Sequence, residues 1–158
     1  MCESGRPEVT AYVALGANLG DAARTLHDAL QTLDRRPGLR LLKASSLYRT
    51  APVDSSGPDY VNAVAEVATR LTAPGLLTAL QGIERDFGRE RPYHNAPRTL
   101  DLDLLFYGSA RVDSPSLTVP HPRMWQRAFV LVPLAEIAPT LVSEPALSGV
   151  LDQAIIRL

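Results

Sequence analysis

One stretch, Arg98-Thr-Leu-Asp-Leu-Asp-Leu-Leu-Phe-Tyr-Gly108, restricts what this chain can fold into more than any other. Leu100, Leu102, Leu104 and Phe106 alternate with Asp101, Asp103, Leu105 and Tyr107. A period of two is the signature of a strand. Asp101 and Asp103 therefore project from one face of a sheet, about 7 Å apart along the strand. Two carboxylates that close repel each other and resist burial unless a cation compensates. A divalent ion accounts for them, and Mg²⁺ takes one or two carboxylates together with water and substrate phosphates. For an isolated Asp-x-Asp, an edge strand with polar residues turned to water serves equally well. The arginines just upstream, Arg85, Arg89, Arg91 and Arg98, change the balance. Carboxylates for metal and guanidinium forks for phosphate are the two halves of a polyphosphate site.

Composition narrows the rest. A chain of 158 residues, 46% apolar and 21% charged, predicts a single domain with an ordinary core, residues 1–8 forming a frayed end. A net charge of −1 provides no global field to recruit nucleic acid, so phosphate binding must be local. Lys43 is the only lysine, preceded by Leu42. That excludes a Walker A loop and the protein-kinase glycine loop with its strand lysine. The single Cys2 fits a reducing cytoplasm. No signal-peptide core and no apolar run of membrane-spanning length is found.

Along the chain, residues 9–15 read as a buried strand and 16–20 as a tight turn. Asp21 caps a helix over 22–33, in which His27 is a surface or packing residue. Residues 39–50 predict a second strand and 60–69 a third, paired antiparallel across the loop 51–59. Thr72 caps a helix that runs to about Phe87, where Gly88 stops it. Residues 89–97 form an irregular connection before the Asp101 strand. Residues 117–122 are stiff and extended, and 125–137 and 146–156 predict helices, the first interrupted by Pro133. The order β α β β α β gives an α+β fold, a ferredoxin-like antiparallel sheet with helices packed on both sides.

Several segments together resemble one family. They are Ala14-Leu-Gly-Ala-Asn-Leu-Gly20, Ser45-Ser-Leu-Tyr-Arg-Thr50, Pro58-Asp-Tyr-Val-Asn62, Ala96-Pro-Arg-Thr-Leu-Asp-Leu-Asp-Leu104 and Leu117-Thr-Val-Pro-His121. In this order they resemble 6-hydroxymethyl-7,8-dihydropterin pyrophosphokinase of folate biosynthesis, from about residue 10 to past residue 138. The resemblance implies transfer of the terminal pyrophosphoryl unit of ATP to the hydroxymethyl group of 6-hydroxymethyl-7,8-dihydropterin, with AMP leaving. It implies that Asp101 and Asp103 hold two Mg²⁺ ions bridging the triphosphate of the ATP co-substrate. Arg89 and Arg91, closing over that triphosphate, and Arg98, fixed beside the metal strand, become the catalytic arginines. Gln81, Glu84, Leu104, Thr118, His121 and Arg127 join Arg91 and Arg98 around ATP.

For the pterin, a flat ring calls for aromatic faces and a polar edge reader. The resemblance places Tyr60 and Phe129 at the stacking positions and Asn62 at the edge. Thr50, Ala51 and Val53 supply contacts from the loop. On residues alone, Phe129 is as well explained by core packing, and Trp125 could line the pocket or cap the core. Ser116 stands where many relatives carry arginine. The expected partners are small molecules only, with no nucleic acid or membrane, acting on a monomer. A non-catalytic ligand-binding module on the same frame and a Mg²⁺-dependent phosphohydrolase are the competing readings.

Overall fold

Ala11, Val13, Leu15 and Ala17 are all buried on one face of strand β1 (Val9–Ala17), and Tyr12 and Ala14 lie on the other. That double burial makes β1 a central strand. The computed structural model describes residues 6–51, 58–88 and 100–158. Within them β1 is flanked by β4 (Tyr60–Thr69) on one side and β5 (Asp101–Tyr107) on the other, both antiparallel to it. β2 (Leu39–Ala44) and β3 (Tyr48–Thr50) both pair with β4, on the side away from β1. A last strand, β8 (Ile155–Arg157), adds to the free edge of β3. Two short strands, β6 (Val112–Asp113) and β7 (Thr118–Val119), form a separate ribbon.

Helices cover both faces. α1 (Ala22–Arg35) begins at Asp21, whose carboxylate accepts from the Arg24 N–H at 3.2 Å, and buries Leu26, Ala29, Leu30 and Leu33. His27 is exposed on its outer side. α2 (Ala73–Phe87) begins at Thr72, whose hydroxyl accepts from the Gly75 N–H at 3.0 Å, and ends at Gly88. Its Leu76, Leu80 and Ile83 join the α1 residues over one face of the sheet. α3 (Ala128–Ile137) covers the other face, packing Val130, Leu131 and Leu134 on Val64, Leu105 and Met124. The expected α+β, ferredoxin-like arrangement is the one observed. Among the described residues no helix is long and apolar enough to cross a membrane.

Four local expectations are corrected. The strand over 39–50 is split, because Ser45 leaves the ladder. Its N–H still donates to the Val64 carbonyl, but its hydroxyl, not a backbone group, receives the Val64 N–H, both at 2.9 Å. The alternation in β5 breaks at a bulge opposite Tyr12 and Val13. Leu105 and Phe106 consequently share the α3 face, and Tyr107 turns to the α1/α2 core. The turn expected at 16–20 starts later, since Gly16 and Ala17 belong to β1. The helix expected over 146–156 is only the short α4 (Glu144–Ser148), followed by β8. Ile155 and Ile156 are β-branched and meet an unpaired edge of β3, which a helix would leave unsatisfied.

The end of α3 is fastened to the gap between β2 and β3. Glu136 accepts from the Ser46 N–H through both oxygens (3.0 and 3.1 Å), from the Ser46 hydroxyl at 2.9 Å and from the Tyr48 hydroxyl at 2.6 Å. Arg157 lies 3.7 Å away. Burial raises the Glu136 carboxyl, but the bonds from Tyr48 and Ser46 and the Arg157 charge outweigh it and hold it below its ordinary 4.5. Burial, then the same carboxylate, pushes the Tyr48 phenol up to about 12. A carboxyl lowered on folding contributes stability above its unfolded pKa and loses it as pH falls through the lower folded value. A raised phenol contributes below its unfolded 10.0 and loses that contribution as pH climbs toward 12. Glu136→Gln should therefore flatten the fall in stability as pH drops below the ordinary carboxyl value of 4.5, read from urea midpoints. An acid limb as steep as that of the parent chain would contradict it.

Candidate active site

A cleft of about 360 Å³ opens at the end of the sheet where β1 finishes and β4 and β5 begin. The register explains its floor. Gly16 of β1 pairs with Asn62 of β4 on one side and Asp101 of β5 on the other. Two residues back, Ala14 pairs with Val64 and Asp103. Paired residues in an antiparallel sheet point to the same face. A strip of small side chains therefore runs between two carboxylates on β5 and an amide on β4. Both carboxylates are half-buried and line the cleft.

Each wall comes from a different element. Tyr60 and Asn62 open β4, and Thr50 and Ala51 close β3. Asn62 is buried, and its Nδ2 donates to the Thr50 hydroxyl at 2.8 Å. Arg127 and Phe129 enter from the start of α3, with the guanidinium 5.4 Å from the centre of the Phe129 ring. Gln153 holds that helix end, accepting from the Ala128 N–H at 3.0 Å and donating to the Gln126 carbonyl at 2.9 Å. Glu84 reaches the cleft from α2, and its Oε2 accepts from the Leu102 N–H at 2.8 Å, between the two aspartates.

His121 is half-buried beside this site. Burial lowers its imidazole from the ordinary 6.5, Asp103 works against that, and Arg127 and Arg123 reinforce it. The Arg123 N–H donates to its Nδ1 at 3.2 Å, so the neutral ring carries its proton on Nε2.

The structure thus gathers Thr50, Ala51, Tyr60, Asn62, Glu84, Asp101, Asp103, Arg127 and Phe129 into one cleft. Gln81 is exposed on α2, Leu104 is buried in the α1/α2 core, and Thr118 is half-buried on β7. Val53, Arg89, Arg91 and Arg98 lie outside the described residues. Trp125 packs edge-to-face on Phe106 at 6.2 Å and is not among the cleft's lining residues, which resolves its role toward capping the core. Phe129 does two jobs, packing on the α3-side core and lining the cleft. Sequence reasoning missed Ala14, Leu15 and Gly16. From sequence Gly16 opens a turn, so the close backbone approach that a strand glycine marks is not legible there.

No group of three or more His, Cys, Asp or Glu side chains stands ready to hold a metal among the described residues. The cleft nevertheless contains a pair of hard oxygen donors, Asp101 and Asp103. Two carboxylates, with the remaining positions left to water and phosphate, are a donor set that suits Mg²⁺.

The sequence matches the family model of 7,8-dihydro-6-hydroxymethylpterin-pyrophosphokinase over residues 12–139. This chain belongs to that family. Named pyrophosphokinases of the same kind are similar along most of their length. One from Pseudomonas aeruginosa is 47% identical over 131 residues, covering 82% of this chain and 81% of the relative. One from Haemophilus influenzae is 45% identical over 135 residues, covering 85% and 84%. The fold also matches the Plasmodium falciparum HPPK-DHPS chain solved with pteroate, at a TM-score of 0.69 and 13% identity over 94% of this chain. This chain spans 41% of that longer one. At so low an identity the likeness speaks to the pyrophosphokinase fold alone.

Proposed function

We propose that the cleft binds ATP and 6-hydroxymethyl-7,8-dihydropterin side by side, with Asp101 and Asp103 at the boundary between them. The chain is a pyrophosphokinase that moves pyrophosphate from ATP to the pterin hydroxymethyl group in folate biosynthesis. The observation that carries the site reading is the sharing of one cleft by the Asp pair, the Asn62 amide and the Phe129 and Tyr60 rings. Phe129 and Tyr60 supply faces for the pterin, and Asn62 reads its polar edge. Arg127 and the Nε2–H of His121 approach from the α3 side and donate to phosphate oxygens. Two Mg²⁺ ions held by Asp101 and Asp103 would supply charge neutralisation for the triphosphate and acidify the hydroxymethyl oxygen. Arg89 and Arg91 complete the cover over the triphosphate with Arg98 beside the Asp101 strand, and Gln81, Glu84 and Thr118 belong to the ATP side, where Leu104, its side chain in the α1/α2 core, offers backbone alone.

Such a site works by placing the hydroxymethyl oxygen in line with the β-phosphorus while fixed charges meet the negative charge that develops. No strong protein base is required of the cleft. The same reading takes the chain as a single cytoplasmic domain that acts as a monomer. Product analysis tests it. AMP formed only when the pterin is present is the expected result. ADP, or nucleotide turnover without the pterin, would instead describe a phosphohydrolase.

A further inference from the structure

We infer that Glu136, outside the cleft, is a positioning residue that sets the spacing between the two walls of the pterin slot. The inference rests on the reading of Phe129, Tyr60 and Asn62 as that slot. One wall is α3, which carries Phe129 at its start and Glu136 near its end. The two lie seven positions apart on the same side of the helix, about 10 Å along its axis. The other wall is the β3–β4 pair. Glu136 grips it directly, through the Ser46 N–H, the Ser46 hydroxyl and the Tyr48 hydroxyl. Tyr48 is the register partner of Asn62, and Thr50, next but one on the same strand, accepts from the Asn62 amide. A short path of named contacts therefore joins Glu136 to the polar edge reader on one side and, along one helix, to the aromatic face on the other.

Two features make this anchor matter. Pro133 stands inside α3 between Phe129 and Glu136. It has no N–H to give the Phe129 carbonyl, so the helix lacks one of the bonds that tie its first turn to its last. The split between β2 and β3 also leaves the Ser46 N–H without a ladder partner, and the Glu136 carboxylate is what receives it. Neither contact touches the cleft, and both ends of the link continue into residues that line it.

The test is a double-mutant cycle on pterin affinity, read by pterin fluorescence, with an ATP analogue titrated in parallel. Glu136→Ala should raise the pterin Kd about tenfold, the loss expected when a charged acceptor of several bonds is removed. Nucleotide affinity should move less than about twofold. In a Phe129→Ala background the same substitution should add less than about twofold, because its effect travels through Phe129. If the two losses multiply, or if nucleotide affinity falls equally, Glu136 is a general structural residue and the inference is overturned. Phe129→Ala weakening the pterin while Glu136→Ala does not would sink this inference and leave the slot reading standing. Unchanged pterin affinity in Phe129→Ala would remove the slot reading and this inference together. Tyr48→Phe deletes only the 2.6 Å bond and keeps the ring, so it decides the matter should Glu136→Ala not fold. It should raise the pterin Kd about threefold, again only while Phe129 is present.

Discussion

Asp101→Asn and Asp103→Asn are each expected to lower turnover about a thousandfold or more while leaving the fold intact. Both side chains are half-buried on the cleft face of β5, while Leu100, Leu102 and Leu104 of the same stretch are buried in the α1/α2 core. Asparagine keeps the size and one acceptor, so packing is undisturbed, but it removes the charge that grips a divalent ion. Loss of one member of a like-charged pair also relieves repulsion, which works against any loss of stability. The paired measurements are steady-state turnover and thermal midpoint, with calorimetry of nucleotide binding at several magnesium concentrations. Near-normal turnover in either variant would take that aspartate out of the ion's coordination. A lost magnesium dependence with an unchanged midpoint would place it there.

The position of the two carboxylates also orders the rest of the cleft. They lie on β5, with Tyr60 and Asn62, proposed above to hold the pterin, across the sheet on β4 and the small residues Ala14 and Gly16 between. The hydrogen-bond donors, Arg127 and the histidine beside it, come from the segments that follow β5 in the chain. His121 is held neutral chiefly by burial, with its Nε2 proton free of the Arg123 contact. A neutral imidazole N–H and a guanidinium are both groups that donate to phosphate oxygens, as the proposed nucleotide side requires.

What could be read in the sequence follows from how local each cause is. The caps Asp21 and Thr72 act within three residues, and both helices start where those caps place them. The alternation of β5 is local as far as Leu104, and it correctly put Asp101 and Asp103 on one face. Beyond that point the bulge is imposed by pairing with Tyr12 and Val13, distant in sequence, and Phe106 and Tyr107 exchange faces. β8 exists because β3 offers an edge, a fact no window around Ile155 contains. Gly16 is the same case, since its role is set by Asn62 and Asp101 on neighbouring strands. The catalytic arginines at 89, 91 and 98 are expectations from sequence that lie outside the described residues.

Gly16→Ala should raise the pterin KM about ten- to a hundredfold. A Cβ built on Gly16 would stand 3.1 Å from Oδ1 of Asn62, closer than ordinary van der Waals contact. In a loose site the amide would swing aside at little cost. Here Asn62 is 5% exposed and its Nδ2 is fixed on the Thr50 hydroxyl at 2.8 Å. Relief therefore requires Asn62 to shift by a few tenths of an ångström against that bond, or β1 to lift away from β4, and either change misaligns the group proposed to read the pterin edge. A hydrogen-bonding site discriminates steeply because a misplaced polar group is left unpaired once the ligand excludes water. The nucleotide side should feel much less, since Asp101 and Asp103 reach into the cleft from the opposite strand. The decisive comparison is KM for pterin against KM for ATP in Gly16→Ala, with Thr50→Val as a second route to the same loosened amide. A pterin KM unmoved by the added methyl would mean that Asn62 gives way freely, and would remove it as the edge reader.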